Sequence, residues 1–228
     1  MIYFSFSLYG DKPKYTRGMI ANAALIKGRF PEARVAIHIT PDVPSDIYEA
    51  LRAFDNVVLI PAERRPDSGG MFDRFLTIDI SDCDVMFVRD ADSRVHERDA
   101  TCIEDFLAAP TAMLHVVRDH KYHTDAIMGG MWGIRKAALT EPMATTIAAW
   151  RAERNATAYI ADQHFLRSVF YGRLREQAMV HDRVGGGAGR WNIGITVTPF
   201  RAPIVDDLFI GQVHEYRDDG SEYVVFPA

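Results

Sequence analysis

The chain predicts an α/β fold: a single domain built on a Rossmann-type, mostly parallel sheet with helices on both faces. Three observations lead there. Strand-like apolar runs alternate with helix-period stripes from the first residues onward, the pattern of strands joined by crossover helices. The 228 residues are 48% hydrophobic, enough for one substantial core and too few for a second full domain. One apolar run also ends abruptly in Asp90-Ala91-Asp92, placing two acids at the carboxyl end of a strand, where open parallel sheets bind ligands.

Taken in order, Ile2 to Leu8 is a first strand, and Arg17 to Lys27 a helix with Met19, Ala23 and Ile26 on one stripe, closed by Gly28 and Pro31. Arg34 to Thr40 is a second strand, Ser45 to Phe54 a helix carrying Ile47, Leu51 and Phe54, and Val57 to Pro61 a third strand. Pro61, Pro66 and Gly69-Gly70 mark Glu63 to Gly70 as a mobile connector. A short helix with Phe72, Phe75 and Leu76 on its buried face then leads to the strand Asp84 to Arg89.

Glu97 to Ala109 is amphipathic through Cys102, Ile103, Phe106 and Leu107, and Pro110 stops it. Ala112 to Val117 is a strand ending in Arg118-Asp119-His120. In Ile127 to Ile134, Gly129, Gly130 and Gly133 surround Met131-Trp132, which predicts a strand whose backbone another group approaches closely. Thr140-Glu141-Pro142 starts a helix burying Met143, Ile147 and Trp150, and a further helix runs from Ile160 to Tyr171 with Gly172 as its stop. Beyond a short apolar strand, Gln177 to Val180, lie a glycine-rich stretch at Val184 to Gly189, a strand-like run at Ile193 to Phe200, and short strands and turns in Asp206 to Ala228.

Composition removes several function classes. A net charge of −5 and basic residues scattered among acids argue against a nucleic-acid binder. Cys83 and Cys102 form no zinc or redox spacing, so a reducing, cytoplasmic setting fits. Met1 to Leu8 is far too short to span a membrane and lacks a signal-peptide pattern, which leaves a soluble chain or one attached peripherally. Gly185-Gly186-Gly187 is followed by no Gly-Lys-Ser/Thr, and no G-x-G-x-x-G follows the first strand, so ATPase and dinucleotide readings lose their usual support.

Residues i and i+2 of a strand point the same way, so Asp90 and Asp92 can present both carboxylates to a hard cation such as Mg²⁺ or Mn²⁺, although the same spacing also suits a solvated turn. Arg89 and Arg94 bracket the pair, either attracting a phosphate-bearing ligand or neutralising the acids. Asp162 shares a helical stripe with Leu166 and Val169 and therefore faces the protein; its other reading is a helix N-terminal acid. His181 is a candidate third metal ligand, with His214 its rival. Arg17 and Arg74 are candidate phosphate or base contacts, or plain surface charges. Asp119 and His120 are candidates for binding an acceptor hydroxyl, and Trp132 for stacking on a sugar or for the core.

In this order of elements, Arg89-Asp90-Ala91-Asp92-Ser93-Arg94 after a strand, Gly129-Gly130-Met131-Trp132-Gly133, Asp162-Gln163 at a helix start and His181-Asp182 resemble a GT-A-type glycosyltransferase of the bacterial polysaccharide kind, over roughly Met1 to Asp182. The resemblance implies a nucleotide-diphosphate-sugar donor, UDP- or GDP-linked, a saccharide or other hydroxylated acceptor, and Mn²⁺ or Mg²⁺. It further implies a nucleotide-binding half over 1–95 and an acceptor half over 96–228. Asp90 and Asp92 would reach ribose and metal, Asp162 would act as the carboxylate near the acceptor, and His181 as the late metal ligand. Val184 to Gly189 would be a lid over the donor. Alternatives are a sugar-nucleotidyltransferase, for which Tyr9-Gly10-Asp11-Lys12 is a poor nucleotide loop, a non-catalytic sugar-binding protein, and a metal-dependent hydrolase.

Overall fold

The computed structural model describes residues 1–65, 68–154, 160–183, 185 and 189–226. Eight strands form one sheet: β1 (Ile2–Leu8), β2 (Arg34–Ile39), β3 (Val57–Pro61), β4 (Val85–Arg89), β5 (Leu114–Arg118), β6 (Met131–Arg135), β7 (Ala178–Asp182) and β8 (Val197–Thr198). Their order is β3-β2-β1-β4-β6-β5-β7-β8. β6 runs antiparallel to both its neighbours, β4 and β5, and the other pairs are parallel. The carboxyl ends of β1, β4, β5 and β7 therefore share an edge with the start of β6, and the strand order reverses between β1 and β4. The predicted α/β class and mostly parallel sheet are what the structure has.

Apolar residues on both faces of the central strands divide the core in two. Phe4, Phe6, Val35, Ile37 and Phe87 meet α1 (Pro13–Arg29), α2 (Ser45–Arg52) and α3 (Glu97–Ala108) through Met19, Ala23, Leu51, Ile103 and Phe106. On the other face Met86, Val88, Val116, Trp132 and Val180 meet a run of 3₁₀ turns (Ser68–Asp79), α4 (Met143–Ala152) and α5 (Ala161–Leu166) through Phe72, Phe75, Ile147, Trp150 and Phe165. A separate hairpin pairs β9 (His214–Tyr216) with β10 (Glu222–Val224).

Several predicted boundaries move. α1 begins at Pro13, whose missing N–H is harmless in a first turn, and not at Arg17. Gly172 does not stop its helix: its neighbours continue through a π turn (Arg167–Tyr171) and a further turn, because nothing in the backbone there leaves the right-handed helical region. The strand expected over Ile127 to Ile134 starts only at Met131, and the one over Ile193 to Phe200 contracts to two residues. Pro66 and Asp67 of the expected connector, and Val184, Gly186, Gly187 and Ala188 of the expected lid, lie outside the described residues.

Alternation along β4 sends its last residue, Arg89, to the α3 face. There its guanidinium donates to both oxygens of Asp99 at 2.7 and 2.6 Å, with both side chains buried. Asp99→Ala would strand a buried cation. Urea unfolding should show a loss of about 3–5 kcal/mol, and a loss below about 1 kcal/mol would mean the pair is not enclosed as described.

Candidate active site

The residue after β4 belongs to the opposite face. Asp90 continues the Met86, Val88 side, where the 3₁₀ segment and α5 lie, and the Arg74 guanidinium of that segment joins it to Asp162 of α5. Nη1 donates to Asp90 Oδ1, and Nη2 to Asp162 Oδ2 at 3.2 Å. β4 stops one residue short of Asp90 because Ser93 returns both its N–H (3.2 Å) and its hydroxyl (3.0 Å) to the Asp90 carbonyl. Asp90 and Asp92 thus sit in a turn and not in the strand, but both still line one cleft.

The glycines before β6 make room for these acids. A Cβ on Gly129 would fall on Asp162 Oδ2, and one on Gly130 on the Asp90 carboxylate. The close approach read from the sequence is therefore a pair of carboxylates against bare backbone.

The cleft, of about 250 Å³, opens at the β1/β4 switch point and is lined by Ser7, Tyr9, Tyr15, Met71, Arg74, Asp90, Asp92 and, from the end of the chain, Gly211 and Val213. The hairpin that follows Val213 is stapled to the acidic turn. His214 N–H donates to the Asp92 carbonyl at 2.8 Å, and Arg94 bonds the Tyr216 hydroxyl at 3.1 Å and Glu222 at 2.9 Å. Lys14 reaches Glu215 at 3.2 Å and Asp92 at 3.9 Å.

Burial, and after it the adjacent Asp90, push the Asp92 carboxyl up to about 6. Burial likewise raises Asp162, with Arg74 opposing and Asp90 adding. Two hard oxygen donors facing one cleft, one of them ionised only at a cost, form a donor set that fits a divalent cation together with a bound diphosphate. His214 has Nδ1 on Glu222 at 2.7 Å, while Nε2 is buried without a partner among the described residues. Burial and Arg94 lower its pKa against Glu222, which favours the neutral imidazole. Among the described residues no group of three or more His, Cys, Asp or Glu side chains is placed to hold a metal ion.

The structure thus brings Arg74, Asp90, Asp92 and Asp162 together and sends the other predicted residues elsewhere. His181 lies on β7, and its parity turns it to the α3 face. There Nδ1 meets His115 Nε2 at 3.3 Å and Nε2 meets Asp105 at 3.4 Å, so it does not reach the acidic turn; His214 meets that turn through its backbone N–H, its ring turned to Glu222. Arg17 is not on the cleft either: it lies over the Tyr216 ring and donates to the Gly220 carbonyl, holding the hairpin down. Asp119 is spent on Arg98 (2.8 and 2.9 Å), Arg183 (3.1 Å) and the Ile210 N–H (3.1 Å), which leaves no lone pair directed at an acceptor. His120 stacks on Phe209 with centroids 4.1 Å apart. Trp132 is wholly buried between Phe75 and Phe170, the core alternative of its two readings.

Sequence reasoning missed Tyr9 and Tyr15, whose rings lie 6.5 Å apart at the mouth of the cleft, with Arg64 over Tyr9 at 4.8 Å. The signal was present. Tyr9 directly follows the apolar run of β1, the same strand-end position that singled out Asp90.

No protein-family model matches the chain, and no curated protein does. Solved structures do. A glycosyltransferase involved in glycosylating the major capsid of PBCV-1 superposes with TM-score 0.54 at 13% identity, covering 90% of this chain and 94% of that one. The galactosyltransferase LgtC, in complex with donor and acceptor sugar analogues, gives 0.56 at 13% identity over 79% and 73% of the two chains. The mannosyltransferase PcManGT from Pyrobaculum calidifontis, in complex with GDP-Man and Mn²⁺, gives 0.50 at 12% over 84% and 59%. A cytidylyltransferase from Leptospira borgpetersenii also matches, at 0.52 and 9% identity over 80% and 75%. The chain therefore shares the fold of the GT-A-type glycosyltransferases, a fold that nucleotidyltransfer uses too.

A raised Asp92 makes the folded state hold a proton that the unfolded chain has already released. Its contribution to stability therefore falls as pH rises from about 4 to about 6. Asp92→Asn removes this penalty. Without divalent metal the variant should be more stable than wild type by up to about 3 kcal/mol above pH 6.5, and the difference should vanish below pH 4. Unfolding curves across that range check both limits, and a variant weakened at neutral pH would contradict the burial of the charge.

Proposed function

We propose that the chain is a metal-dependent glycosyltransferase that moves a sugar from a nucleotide-diphosphate sugar to a hydroxylated acceptor. The observation that carries this reading is the convergence of Asp90 and Asp92 on one cleft at the β1/β4 switch point, with Asp162 one guanidinium away behind Arg74. The solved glycosyltransferases of the same fold support it, as does the Mn²⁺ bound to one of them with its nucleotide sugar. A role in surface polysaccharide synthesis follows only from the resemblance read in the sequence.

In this proposal Asp90 and Asp92 would hold Mn²⁺ or Mg²⁺ beside the donor diphosphate. The metal supplies charge stabilisation to the departing diphosphate. Tyr9 and Tyr15 offer ring faces to the nucleotide at the mouth of the cleft. Arg74 fixes the geometry of Asp90 and Asp162 and places positive charge beside the leaving group. Asp162 accepts the acceptor hydroxyl's proton at a carboxylate oxygen, under the bare backbone of Gly129. The donor half over 1–95 is completed by Gly211 and Val213 from the acceptor half.

Calorimetry with UDP- and GDP-sugars should show nucleotide binding that appears with Mn²⁺ and is lost in Asp92→Asn; binding indifferent to both would refute the metal reading. A cytidylyltransferase would instead bind CTP, let a sugar phosphate attack its α-phosphorus and release the β- and γ-phosphates of the CTP as pyrophosphate, so running both assays separates the two chemistries that this fold carries. Asp162→Asn should keep donor affinity within about threefold while lowering kcat about 10²–10⁴-fold, and unchanged turnover would remove it as the base.

A further inference from the structure

We infer that the flank of the sheet beside β7 and β8 docks onto an anionic bilayer surface. The chain is acidic overall, yet of the five arginines from Arg167 to Arg190 only Arg167 and Arg183 are paired, with Asp125 and Asp119, and of the two acids there Asp182 is taken by Arg118 at 2.9 Å inside the protein, which leaves Arg173, Arg175 and Arg190 against Glu176. Arg173, Arg175 and Arg190 make no ion pair among the described residues. Their guanidinium groups lie instead over Phe170, on the Ile193 carbonyl at 2.6 Å and over Trp191 at 4.5 Å.

Apolar tips stand among these charges. Ile193 is 70% exposed, and Tyr122, under the Lys121 ammonium, is 50% exposed. Trp191 ties the two together: its indole N–H donates to the Thr124 carbonyl at 3.1 Å, and Arg167, paired with Asp125, lies over its ring. Charge that is not locally cancelled, set beside an aliphatic tip and an amphipathic indole, matches a bilayer interface, where basic side chains meet lipid phosphates and aromatic rings sit at headgroup depth. A nucleic-acid strand would need a basic groove tracking its backbone, and this surface is a flank.

The place of the patch matters as well as its charge. Thr124 and Trp191 follow β5 and β7 at the carboxyl edge of the sheet, the edge that carries Asp90. Docking through this flank would hold the cleft beside the membrane plane, so that an acceptor embedded there meets it by two-dimensional diffusion. That use rests on the glycosyltransferase reading; the docking itself does not. No helix of the described residues is long and apolar enough to cross a membrane, so attachment through this surface would be reversible.

The test is co-sedimentation with vesicles of phosphatidylcholine alone or mixed with phosphatidylglycerol, using the full chain. Wild type should bind the anionic vesicles in low salt and lose them at about 0.5 M salt, where charges are screened beyond a few ångströms. Arg173→Glu with Arg190→Glu should weaken binding about tenfold or more, and Ile193→Asp should weaken it without changing melting temperature. Equal binding to neutral vesicles, no binding, an unaltered double variant, or a preference for single-stranded nucleic acid over anionic vesicles would each overturn the inference. Metal-dependent nucleotide binding, measured on the same variants, should be unchanged, which separates failure of the docking surface from failure of the proposed activity.

Discussion

The site depends on one buried guanidinium. Arg74 reaches Asp90 with one nitrogen and Asp162 with the other, joining the 3₁₀ segment, the end of β4 and the first turn of α5. The two carboxylates repel each other, and Asp162, its side chain only 5% exposed, also loses hydration, while Asp90 keeps 42% of its side chain open to the cleft. The shared cation is what lets them remain together. Its reach is short, so Gly129 and Gly130 must carry the chain past the acids without side chains, and β6 must enter the sheet beside them.

A second constraint is the alternation of faces at each strand end. Val88-Arg89-Asp90 ends β4, and Val117-Arg118-Asp119 ends β5, almost the same sequence with opposite outcomes. On β4 the arginine turns to α3 and the aspartate to the cleft. On β5 the arginine turns to the α5 face and pairs with Asp182, while the aspartate is clamped by Arg98 of α3. Only the first aspartate has an open space in front of it. Position at a carboxyl edge thus nominates a residue, and the face it inherits decides whether it faces ligand or partner.

This explains which parts of the site were legible in the sequence. The structure brings Asp90, Asp92 and Asp162 together around Arg74, and the signals that single them out are local: a strand that ends, a helical stripe. The glycine run gave correct notice of a close approach. His181 lies away from the acidic turn because one residue of strand parity, invisible in the short run Gln177 to Val180, sends it to the α3 face. Arg17 and Asp119 were misread because their partners, Gly220 for one and Ile210 among those of the other, are distant in sequence and return only when the chain folds back. Tyr9 is harder to read for a different reason: the Gly10-Asp11-Lys12 that follows it carries no glycine fingerprint, and its only signal is its position after the end of β1.

The staple between His214 and the Asp92 carbonyl also fixes when the molecule can become competent. A chain made on the ribosome from its amino end can assemble β1 to β4 and expose the acidic turn long before the hairpin emerges. Until then one wall of the cleft, Gly211 and Val213, is missing, and the turn has no cover. A nascent chain would therefore present these carboxylates to the solvent without the enclosing cleft. A chain cut before the hairpin would keep the acidic turn and lose the Gly211 and Val213 wall of the cleft.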